Sequence, residues 1–173
     1  MHTVVLLVLS LSLGIACSAP QGNTAAASPS PTAVAIQPQA TPRSDIKAED
    51  LAKLRWLEGD WRGMDGDKPF FERYRIEDGK ALVVDSFEDE TFSKTTDVSR
   101  YELHNGGIRN GSYAASEITE DSVTFVPVAN ARNSFTFKRV GDNEWTATLD
   151  WPAMADRPAR QKVYRMTRIE QKK

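Results

Sequence analysis

Apolar and polar residues follow a helical period once, before residue 60, and a period of two along most of the chain after it. Ile46, Leu51, Leu54 and Leu57 fall near one face of a helix, with Asp45 or Ser44 as its N-cap and Gly59 where it stops. Beyond that glycine the alternation predicts strands at Asp60–Met64, Phe70–Glu77, Lys80–Asp89, Thr95–His104, Ile108–Ser116, Ser122–Val128, Asn133–Val140, Glu144–Trp151 and Arg160–Ile169. The reversals between them are short. Asp78-Gly79 is a two-residue hairpin signal, and Asn105-Gly106-Gly107 and Gly141-Asp142-Asn143 mark two more. A meander of about nine strands joined by hairpin-length turns rarely stays flat. Closure removes its exposed edges, so the expected fold is all-β: an antiparallel up-and-down β-barrel with one short N-terminal helix against an open end.

The segment before the helix reads as an address and a spacer. Residues 3–16 are apolar, but a spanning helix needs about 20 such residues, whereas a secretory h-region needs roughly 7–15. Residues 1–16 are therefore expected to be a signal peptide. Its end, Leu13-Gly14-Ile15-Ala16-Cys17, resembles the bacterial lipobox, in which small residues precede a cysteine that is lipidated and becomes N-terminal. Gly14 stands where the lipobox usually has leucine, and Met1-His2 supplies no Lys or Arg; cleavage by ordinary signal peptidase and an uncleaved anchor are the alternatives. Lipidation of Cys17 would anchor the chain without a transmembrane helix. Ser18 follows the cysteine, and by resemblance to Gram-negative lipoproteins that residue permits sorting to the outer membrane, facing the periplasm. Residues 18–45 are rich in Ala, Pro, Ser, Thr and Gln, too poor in apolar bulk to offset their ordering entropy. The expected organisation is a signal peptide over 1–16, a lipidated cysteine and disordered tether over 17–45, and a barrel domain over 46–173.

Composition narrows the chemistry. A length of 173 residues suits one core. The formal charge is -2 with 27% charged residues, which gives no concentrated basic footprint for nucleic acid. One cysteine allows no intrachain disulfide and no thiolate metal site. The two histidines are His2, in the segment expected to be removed, and His104, so a zinc site of the common type is not expected, nor is any cofactor. Gly-x-Ser-x-Gly, phosphate-loop and metal signatures do not occur.

Leu51-Ala52-Lys53-Leu54-Arg55-Trp56-Leu57-Glu58-Gly59-Asp60-Trp61, followed by Phe71-Glu72-Arg73-Tyr74, resembles the opening of an uncharacterised bacterial family with a lipocalin or fatty-acid-binding-protein-like fold. Such members begin Leu-x-x-Leu-x-Trp-Leu-x-Gly-x-Trp and carry a Glu-rich second strand. The resemblance implies a barrel over about residues 47–170 with Trp61 at its base, where a large ring plugs the end beneath the helix. A related branch binds haem through a late-strand histidine that this chain lacks, so His104 reads as a turn residue.

In a small barrel alternate residues point inward. On the second strand Phe70, Glu72, Tyr74 and Ile76 make the better inward face. The third strand is ambiguous between Ala81, Val83, Asp85, Phe87 and Leu82, Val84, Ser86. Fatty-acid-binding relatives hold a carboxylate with Arg and Tyr inside the barrel, which singles out Glu72, Tyr74, Arg100, Tyr113 and Arg165 as candidate ligand-binding residues. Outward-facing or mutually paired charges are the competing reading. Glu72 and Asp85 are the only acid and base to name for an enzyme, a less favoured class. The expected function is a membrane-anchored, extracytoplasmic barrel that binds a small hydrophobic or amphipathic ligand; the alternative is a filled barrel that presents its rim to an envelope partner.

Overall fold

The computed structural model describes residues 40–129 and 131–170. Cys17, Ser18, the expected signal peptide and nearly all of the expected tether lie outside them. Within them no helix is long and apolar enough to cross a membrane.

The predicted helix is a five-residue α-helix, α1 (Ala48–Ala52), continued by a 3-10 helix over Lys53–Leu57. It starts later than the sequence suggested. Its cap is Lys47, not Ser44 or Asp45, and the Lys47 N–H donates to the Asp50 carboxylate at 3.1 Å. Arg43–Ile46 instead run as a strap on the barrel: Arg43 N donates to Ala115 O at 2.8 Å and Ile46 N to Gly106 O at 2.7 Å. Backbone contact with the barrel thus begins a few residues ahead of the expected boundary at 46.

Ten strands follow: β1 (Gly59–Asp65), β2 (Lys68–Glu77), β3 (Ala81–Phe87), β4 (Thr95–His104), β5 (Gly107–Arg109), β6 (Tyr113–Ile118), β7 (Ser122–Pro127), β8 (Ser134–Gly141), β9 (Glu144–Trp151) and β10 (Arg160–Arg168). Each pairs antiparallel with its neighbour in sequence, and β1 pairs with β10 through Trp61↔Arg168 and Arg62↔Thr167, which closes the barrel. The expected strand 108–116 is two strands. Asn110 breaks it, because its side-chain oxygen accepts from the N–H groups of Ser112 and Tyr113, both at 2.9 Å, and bends the chain into an Asx turn.

The helical segment closes one end of the barrel, the base. Leu51, Leu54 and Leu57 are fully buried and share one core with Trp61, Trp145 and Met166. Trp61 is buried as the resemblance implied, and its indole N–H donates to Leu57 O at 2.6 Å. The Arg168 guanidinium lies 4.2 Å from the centre of the Trp61 ring and donates to the carbonyls of Glu58 at 2.7 Å and Trp56 at 3.1 Å. Base, first strand and last strand are thereby tied at one corner.

The wall settles the ambiguous faces. Leu82 and Val84 of β3, Tyr101 of β4, and Tyr164 and Met166 of β10 pack inward. Ala81 and Val83 face outward yet are buried. Arg75 and Arg100 flank Val83 on the neighbouring strands, and their stems and headgroups cover it. Arg75 pairs with Asp85 and with Glu77 at 3.0 Å, and Arg100 with Glu77 at 2.6 Å. A second outer cluster lies at the other end of the same strands. Phe92, at φ 52°, folds from the β3–β4 loop onto Phe71 and Phe87, with the Arg73 guanidinium 5.3 and 5.2 Å from the rings of Phe87 and Phe92. An aromatic residue at positive φ is costly, and burial of its ring offsets that cost.

Candidate functional site

The interior is aromatic from base to mid-height. Trp145 is fully buried, with ring centres of Phe137, Tyr74, Trp61 and Trp56 at 4.8, 5.4, 5.9 and 6.2 Å. Above it Phe125 stacks on Phe135 at 4.9 Å, and Tyr101 lies 4.7 Å from Phe125. The base and middle are therefore filled. Towards the other end, which we call the mouth, the inward residues Phe70, Glu72, Tyr113, Leu149 and Tyr164 are only partly buried.

Glu72 is the chemical exception in this lining. Its strand alternation places it inside with Phe70, Tyr74 and Ile76, on the face that the sequence favoured. The Tyr74 hydroxyl donates to a Glu72 carboxylate oxygen at 2.6 Å. Among the described residues no Lys, Arg or His forms an ion pair with Glu72. Glu72 as a whole is half-buried, and its carboxylate accepts from the hydroxyl of the buried Tyr74. Burial pushes the Glu72 carboxyl above its ordinary range, against the Tyr74 hydrogen bond, which pulls it down. Burial also raises the Tyr74 phenol well above its usual value, helped by the neighbouring Glu72 charge.

That shift has a measurable consequence. Folded Glu72 holds its proton to higher pH than the unfolded chain does. Its contribution to stability is complete below the ordinary value near 4.5 and is lost as pH rises through the elevated folded value. Glu72→Gln keeps an acceptor for Tyr74 and removes the ionisation. The variant is expected to match the parent near pH 4 and to exceed it at pH 8 by on the order of 1 kcal/mol, about 3 °C in Tm. Thermal unfolding of both proteins across that pH range checks this; parallel curves would place the carboxyl in ordinary solvent.

The other candidates do not join Glu72. Arg100 points outward with Glu77 and Glu102, because Ser99, Tyr101 and Leu103 hold the inner face of β4. Arg165 also points outward, its side chain 74% exposed and paired with Glu144 at 2.9 Å, because Tyr164 and Met166 face the core. Both inward assignments are corrected by one register step. Tyr113 does face inward, near the mouth, with its hydroxyl donating to Asn133 at 2.9 Å. Asp85 lies on the outer wall with Arg75, so the sheet separates it from Glu72 and the two form no acid–base pair. His104 is exposed at its turn.

Residues that the sequence reading did not single out complete the lining: Tyr101, Phe135 and Trp145. Their signal was the alternation that placed Tyr74 inside, extended to the neighbouring strands. The Trp145 indole N–H is buried without a hydrogen-bond partner among the described residues. Two recesses open on the surface. One of about 480 Å3 sits on the outer wall against Arg100, His104 and Arg109; another of about 340 Å3 sits by the β9–β10 loop against Trp151, Met154 and Arg160. Among the described residues no group of three or more His, Cys, Asp or Glu is placed to hold a metal ion.

No protein-family model, curated protein or solved structure matches the chain. What the fold defines is a class: a closed ten-stranded antiparallel barrel, plugged at its base, with one carboxyl group, Glu72, on an inward position of β2.

Proposed function

We propose that this is an extracytoplasmic, membrane-tethered barrel that holds a small amphipathic molecule at its mouth. The observation that carries the reading is Glu72, an ionisable group facing inward among aromatic rings and hydrogen-bonded to the Tyr74 hydroxyl. A core needs no carboxyl there, and desolvating one is costly. Binding sites commonly combine an apolar lining with a few placed polar groups. The partly buried rings of Phe70, Tyr113 and Tyr164 supply that lining between Glu72 and the mouth. Tethering is supported by the apolar run that stops at Cys17 and the Pro-rich segment after it. By the lipobox resemblance the attachment is a lipid on Cys17, with the domain in the bacterial envelope, facing the periplasm.

The filled lower barrel favours a second reading, a non-catalytic envelope module that works through its outer surface. Native mass spectrometry of the protein extracted from the membranes of a Gram-negative host separates the two. The expected spectrum shows a chain starting at Cys17, heavier by its acyl groups, with a small molecule released on activation. An acylated chain that carries nothing across repeated preparations would favour the module. An unacylated chain in the soluble fraction would remove the tether.

A further inference from the structure

Among the described residues the Glu72 carboxyl has no cation paired with it. Four arginines of the outer wall are paired with acids: Arg73 with Asp60, Arg75 with Asp85, Arg100 with Glu77 and Arg165 with Glu144. The cations on the inward positions of β10 are Arg160, Lys162 and Arg168, and they sit towards the barrel's ends, Arg160 at the mouth with its guanidinium 4.2 Å from the centre of the Trp151 ring. Arg168 is engaged at the base by the carbonyls of Glu58 and Trp56, and Lys162 at the rim by Asp65 at 2.6 Å. None of the three is paired with Glu72. Around the carboxyl stand phenol rings. Tyr74 bonds to it, and Tyr101 is near enough for the Glu72 charge to raise its phenol further, after burial and the neighbouring Tyr113. A carboxylate seated against Glu72 would therefore meet a like charge, with the inward arginines of β10 away at the barrel's ends. A cation would meet an opposite charge there, an interaction worth more when it is desolvated.

We infer that the lumen selects an amphipathic organic cation, with an ammonium head against Glu72 and Tyr74 and an apolar body running past Tyr113 and Leu149 to the mouth. This rests on the proposal that the mouth binds a small molecule, and it names the chemical class. It reverses the polarity of the Arg-and-Tyr arrangement that the sequence suggested. An unpaired carboxyl inside a barrel is a net cost, and a bound ammonium group supplies the missing half of the pair. Because the enclosed carboxyl holds its proton to elevated pH, seating a cation there expels that proton.

Three near-isosteric probes test the class: 2-phenylethylamine, 2-phenylethanol and 3-phenylpropanoate. The full chain in lipid nanodiscs is titrated with each by calorimetry, with empty nanodiscs as the blank. The amine is expected to bind at least about 10-fold more tightly than the alcohol, a difference of about 1.4 kcal/mol. The carboxylate is expected to bind more weakly than either. Below the elevated Glu72 value the amine's heat should vary with the buffer's ionisation enthalpy, reporting proton release. Glu72→Gln is expected to bring amine and alcohol to within about twofold of each other. A carboxylate that binds as tightly as the amine, or an amine preference that survives Glu72→Gln, overturns the inference. Equal binding of amine and alcohol to the parent overturns the class and leaves the mouth as a binding site. Binding of none of the three removes both.

Discussion

Replacing Trp145 with alanine is expected to lower the free energy of unfolding by about 4 kcal/mol, measured from urea denaturation midpoints at constant m. The ring is fully buried and is the hub of the lower barrel, in contact with Trp56, Trp61, Tyr74 and Phe137. These contacts join the helical segment, β1, β2 and β8 to β9. The cavity left behind would be bounded by aromatic rings on different strands, which cannot all close on it. Trp145→Phe should recover most of the loss, since it keeps a ring and removes the unpartnered indole N–H. An alanine variant within about 1 kcal/mol of the parent would mean that the base is not packed as described.

Gly106→Ala is expected to cost about 2–3 kcal/mol, although it adds a single methyl group at the surface end of a hairpin. Asn105 and Gly106 both lie at positive φ, 49° and 72°, as a tight hairpin turn requires. A Cβ on residue 106 would be driven into the carbonyl oxygen of Ser44, part of the strap that crosses this turn. The strap must lift, which breaks the bond from Ile46 N to Gly106 O and loosens the buried Ile46 side chain. Hydrogen exchange should show faster exchange at the Ile46 and Arg43 amides in the variant. Gly79→Ala is the control: φ is 63° there too, but nothing lies near the added carbon, so only the backbone term is lost. Equal losses at both positions would mean that the strap carries no weight.

The turns and the helix were legible because their signals are local. Asp78-Gly79 and Asn105-Gly106 demand positive φ and have it. Leu51, Leu54 and Leu57 share a stripe and are fully buried together. Barrel closure was legible as a consequence of strand number and turn length. What could not be read locally was which side of the wall each residue faces. Val83 and Ala81 are as apolar as Leu82 and Val84, because the arginine stems of β2 and β4 make the outer wall half-dry. Phe71 misleads in the same way, since Phe92 reaches back from a loop to cover it. Arg100 and Arg165 were placed inside for want of that information, and one register step moves each out. Glu72 and Tyr74 were placed correctly because their strand carries its larger apolar residues on one face. The break at Asn110 was missed because the flanking residues continue the alternation across it.

The seam between β1 and β10 governs how the barrel is made. Trp61 and Arg62 pair with β2 on one side and find their partners on the other at Arg168 and Thr167, near the far end of the chain. A ribosome must therefore deliver almost every strand before the ring can seal, and long-range pairings of this kind are slow to form. Until then β1 has β2 on one side and a bare row of amides on the other. The helical segment cannot wait for the seam. It packs on Trp61 and β2, while the hydrogen bonds that pin it to the last strand run through Arg168. One late arginine therefore joins the helical segment to the last strand. A chain cut short before Arg168 would leave its stopper in place and its staves apart.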